Sequence, residues 1–165
     1  MGTTSRVSGV IRAAGIGAVA GLAGGSAMVV GEKVEQAITR RPNSYVPGRV
    51  LLTLLGRRPT DADKPFISNH LMHYATAALL GALRGVWAAV GIRGVYANAW
   101  HSLVRLGFDQ TVENATGVGA PPHTWPRREL VVDVLHKVVF AVITGIVADR
   151  MIRPHLVSTR GRTSH

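Results

Sequence analysis

Between Arg12 and Glu32 lie nineteen consecutive uncharged residues, AAGIGAVAGLAGGSAMVVG. As a helix, Ala13 to Gly31 would be about 28 Å long, close to the roughly 30 Å hydrocarbon thickness of a bilayer. Gly17, Gly21 and Gly25 recur every fourth residue, a doubled G-x-x-x-G. On a helix they share one face and leave a groove into which another backbone can come close. Such a helix is held by contact, so the rest of the chain has to supply its neighbours. The stretch predicts an all-α integral membrane bundle, packed through Gly17, Gly21 and Gly25.

The placement of charge points the same way. A mean hydropathy of +0.20 fits soluble and membrane helices alike, so the mean decides nothing. Charges cluster at Arg40 to Lys64, at Arg127 to Glu129 and after Asp149, with apolar blocks between them. The net charge is +10, and Arg supplies most of the basic residues. Because these residues flank apolar stretches, they suit the anionic headgroups of a lipid bilayer rather than nucleic acid. The chain has no cysteine, which excludes a disulfide framework, a cysteine zinc site and a thiol nucleophile.

The pattern predicts one membrane-embedded domain with about four transmembrane helices, at about 9–31, 66–91, 94–112 and 129–152. A polar connection (32–65), a Gly- and Pro-rich loop (113–128) and a basic, disordered tail (153–165) join and follow them. Arg6 and Arg12 before an apolar run also fit a signal peptide, but the run is long for one and its glycine spacing suits packing. Met1-Gly2 begins like a myristoylation motif, which Arg6 breaks. Arg49 to Arg58 is too short to span; it either lies in the interface or docks on the bundle end. With four spans, seven basic residues fall on one side and nine on the other, too even a split to set an orientation.

An ionisable residue inside a span is costly unless it finds a partner or water, so each is a functional candidate. His70 and His73 open the second span, one turn apart. Asn98, His101, Arg105 and Asp109 share one face of the third, which is therefore expected to be the most enclosed. His136 and Lys137 follow Asp133 in the fourth. Together with Arg84 these residues form a candidate polar seam. The histidines suit hydrogen bonding between helices, proton or ion handling, or metal or haem ligation. Arg84, Arg105 and Lys137 have Asp109 and Asp133 as partners, for register or for a polar pathway. There is no H-E-x-x-H, G-x-S-x-G, Walker or dinucleotide motif, so no catalytic residue and no cofactor is assigned.

Several short features resemble the YagU-like family of small, uncharacterised bacterial inner-membrane proteins. They are the glycine-rich first helix before Glu32-Lys33, then Pro47, then His70, His73 and His101. A loop with Gly119, Pro121, Pro122, Trp125 and Pro126 follows, before a helix with Glu129 and His136. The likeness covers about residues 9–150 and departs at Arg105 and Asp109, where the family's third helix is more evenly hydrophobic. It implies a multi-pass protein of the cell inner membrane and carries no site residues with it. Two functions are open. One is a non-enzymatic structural or accessory protein acting through helix contacts with itself or a membrane partner. The other is a small permease or proton- or ion-handling protein using the seam of helices two to four.

Overall fold

Seven glycines lie inside the first helix, α1 (Thr3–Thr39), each costing up to about 1 kcal/mol of helix propensity relative to alanine. Close packing offsets that cost. The computed structural model describes residues 3–156, and all its regular structure there is helical. A Cβ at Gly17 would lie 2.6 Å from the Gly85 Cα, and one at Gly21 would lie 2.8 Å from the Gly81 Cα. The two backbones therefore touch, and no side chain fits between them. The partner helix is α3 (Phe66–Ala89), whose Ala77, Gly81 and Gly85 repeat the four-residue spacing. A Cβ at Gly25 would meet Ala77 Cβ at 2.8 Å. Gly24, one residue off this face, abuts α5 (Arg127–Met151), where a Cβ would lie 2.7 Å from the Phe140 carbonyl oxygen.

Turn chemistry sets the breaks. α1 ends on Arg40 in the left-handed region (φ 60), with Pro42 two residues on. α2 (Val46–Leu54) begins around Pro47, where a missing N–H costs nothing. It starts ahead of the apolar stretch at Arg49, and it docks on α3 through Gly48, where a Cβ would lie 3.0 Å from the Asn69 Cα. α3 closes on Gly91 (φ 94), with the Ile92 amide donating to the Trp87 carbonyl at 2.8 Å. α4 (Gly94–Ala115) follows at once, and a short 3-10 turn at Pro122–Thr124 precedes α5.

α1 packs most extensively on α3, then on α5; α4 leans on α5, and α2 on α3. Among the described residues two helices, α1 and α5, are long and apolar enough to cross a membrane. Two expectations need correction. The most enclosed helix is α3 rather than α4. α3 buries eight residues from Thr76 to Ala89, because α1, α2 and α5 all meet it, whereas α4 buries four. The tail does not leave the bundle at Arg153: the His155 and Leu156 amides both donate to the Ala89 carbonyl at 3.0 Å. Residues 157–165 lie outside the described residues.

Candidate functional site

Charged and polar side chains are embedded in a largely apolar core. Arg84, His101 and Thr144 are wholly buried and Arg105 is 2% exposed, among alanines, glycines and Phe140. A buried cation is tolerated only with partners. Arg84 Nη2 donates to Asp149 Oδ2 at 2.8 Å and to Asn98 Oδ1 at 3.1 Å, and Nη1 donates to the Ile92 carbonyl at 3.4 Å. Asp149 also pairs with Arg93 and accepts the Gly94 amide at 3.0 Å. One carboxylate thus ties α3, α4, α5 and the α3–α4 turn together. Neither Asp109 nor Asp133 is the partner of Arg84, because both lie toward the opposite end of the bundle.

That opposite end holds the second cluster. Arg105 Nε donates to Asp109 Oδ2 at 2.9 Å, and its guanidinium lies 4.9 Å from the centre of the Phe140 ring. Lys137 Nζ is 3.6 Å from Asp109 and also pairs with Asp133, one turn before it on α5. Between the clusters sits an aromatic layer. His101 Nε2 contacts the Leu80 carbonyl at 3.1 Å, so this nitrogen carries the proton and donates. The His101 ring lies 5.2 Å from Phe140 and 6.0 Å from Trp87.

The second cluster opens into a vestibule of about 560 Å³. Its walls come from the end of α1 (Glu32), the connection (Arg41), α2 (Pro47), α3 (His73), α4 (Glu113), the loop at Trp125 and the start of α5 (Glu129, Asp133, His136, Lys137). An inner chamber of about 40 Å³ adjoins it, lined by His73, Arg105, Asp109, Glu113 and Lys137 among others. His73 faces both cavities, and its Nδ1 is buried without a hydrogen-bond partner, as are Arg105 Nη1 and Asp133 Oδ2. His70 sits to the side, edge-on to Phe66 at 4.4 Å, in a recess shared with His73. Trp125 Nε1 donates to the Ala120 carbonyl at 2.8 Å, which folds the loop back on itself beside the vestibule.

The predicted seam thus divides. His70, His73, Arg105, Asp109, Asp133, His136 and Lys137 gather at the vestibule end. Arg84 belongs to the other end, and His101 lies in the layer between. Two members were missed. Glu113 continues the four-residue spacing of Arg105 and Asp109, a signal present in the sequence. Asp149 reads as the start of a charged tail, and only the packing shows it turned inward. No group of three or more His, Asp or Glu side chains among the described residues is placed to hold a metal ion.

At the mouth, Arg41 Nη2 donates to Glu35 Oε2 at 2.9 Å and Thr39 Oγ1 donates to Glu35 Oε1 at 2.7 Å. The Arg41 hydrogen bond holds the Glu35 carboxyl below its ordinary 4.5. A depressed carboxylate stabilises above its unfolded value and loses that contribution as pH falls through the folded one. The latch is therefore expected to hold at neutral pH and open only in acid. A Glu35 resonance titrating at or above 4.5 would contradict the pairing.

Set against protein-family models, curated proteins and solved structures, the chain matches none of them. Fold and site define the class by themselves: an all-α bundle with two helices apolar enough to span a membrane and a charged, cavity-forming seam.

Proposed function

We propose that this is a multi-pass protein of the cell inner membrane, related to the YagU-like proteins, that handles protons or another small ion through its vestibule. The membrane reading is supported by an inverted distribution of side chains. Large apolar residues such as Val19, Leu22, Leu79, Val95, Tyr96, Trp100, Leu135 and Ile146 face outward, while Arg84, His101, Arg105 and Thr144 face inward. In water such a surface would drive association; in lipid it is the expected arrangement. α3 and α4 then cross as partners of α1 and α5, with their charges turned away from the hydrocarbon.

The ion-handling reading is carried by one observation: the vestibule of about 560 Å³ leads to buried, incompletely paired His73, Arg105 and Asp133 at the level of the proposed spans. The glycine face of α1 is covered by α3 of the same chain. The accessory-protein alternative draws support instead from the outer face of α4, where Val95 is 80% and Tyr96 85% exposed. Liposome flux separates the two. The reconstituted protein is expected to collapse an imposed pH or ion gradient. Asp109→Asn and His73→Gln should each slow it about tenfold or more, the scale of losing a positioned proton carrier, and His101→Phe should also reduce it. A wild-type protein that passes nothing leaves the accessory reading in place.

A further inference from the structure

We propose a second site, a pocket beside α2 that binds the phosphate of an anionic phospholipid. It rests on the membrane reading and is independent of ion handling. The chain after α2 turns at Gly56 and curls back to Pro65, leaving an open surface recess. Arg57, Arg58 and Lys64 line it, and none of them makes an ion pair among the described residues. One nearby carboxylate is paired outside the recess, and the other lines it while bonded to a neutral residue. Asp61 pairs with Arg49, and Asp63 Oδ2 accepts the Thr60 amide at 2.6 Å and the Thr60 hydroxyl at 2.9 Å. Three cations therefore face a concavity with one occupied carboxylate among them.

A second, independent observation points to lipid rather than to a free anion. Exposed apolar side chains flank the pocket in sequence on both sides: Leu55 (68%) after α2, and Phe66 (62%) and Ile67 (80%) opening α3. Cations around a cavity, with exposed apolar groups at the point where a proposed span begins, match a phosphate headgroup continuous with its acyl chains. A net anionic headgroup is preferred, because the ammonium of a choline lipid would offset its own phosphate.

The test uses the purified full chain in detergent, with phosphatidylglycerol, phosphatidylcholine and inorganic phosphate as probes in native mass spectrometry and thermal-shift titration. Phosphatidylglycerol is expected to bind and raise the melting temperature, while the other two do neither. Replacing all three cations (Arg57→Gln, Arg58→Gln, Lys64→Gln) should weaken it about a hundredfold, several-fold per basic residue. Arg127→Gln with Arg128→Gln, at the start of α5, should leave binding unchanged. Equal binding of phosphatidylcholine, equal competition by inorganic phosphate, an unaffected triple variant or an equally impaired control pair would each overturn the site. A chain that needs detergent yet fails these tests loses the site alone; one that is monodisperse without detergent loses the membrane reading as well.

Discussion

Asp149→Leu is expected to lower the unfolding free energy by about 3–5 kcal/mol, the range for stripping the partner from a buried charge. The effect is large because Arg84 is wholly buried and Asp149 is its only charged partner among the described residues. What would remain is one amide oxygen at 3.1 Å and one carbonyl at 3.4 Å, neither of which neutralises a guanidinium. The change also removes the Arg93 ion pair and the acceptor of the Gly94 amide, leaving Arg93 on the residue 149 backbone carbonyl, so the α3–α4 turn should loosen with it. Asp149→Asn keeps an acceptor and should cost less. Arg84→Met combined with Asp149→Leu should recover most of the loss, since the orphaned charge is then gone. Reversible denaturation in detergent micelles gives all four values. An Asp149→Leu protein within about 1 kcal/mol of wild type would remove the pair from its stabilising role.

Gly21→Leu is the second large effect. A Cβ there collides with the backbone at Ala77 and Gly81, and backbone cannot turn aside as a side chain can. The loss should reach or pass about 3 kcal/mol, the upper end for an overpacked site, and α1 should leave α3. Gly15→Leu is the matched control, because nothing lies within 4 Å of a Cβ at Gly15. It should be neutral or even stabilising, since leaving glycine in a helix recovers up to about 1 kcal/mol. The Gly21 loss should not depend on protein concentration, because both helices belong to one chain. Normal melting with a changed oligomeric state would instead place the glycine face between copies.

The likeness between Gly17-x-x-x-Gly21 and Gly81-x-x-x-Gly85 was in the sequence, yet only the first motif stands in an obvious apolar run. The second is interrupted by Arg84, whose partner lies 65 residues away. Glycine's lack of a side chain makes close approach possible wherever it recurs, so the sequence alone could announce a tight helix contact without saying with what.

Composition and order determined that the chain is helical, where its turns fall, and that charges would sit inside apolar helices. Those follow from local properties: propensity, the missing N–H of proline, and the three-to-four-residue spacing of one helix face. The spacing also placed Asn98, His101, Arg105 and Asp109 on one face of a single helix. Tertiary structure decided the pairings, because Coulomb attraction and desolvation depend on distance in space and not along the chain. It assigned Arg84 to Asp149, put an aromatic layer between two charged clusters, and opened a vestibule from segments between Met28 and Lys137 that share no motif.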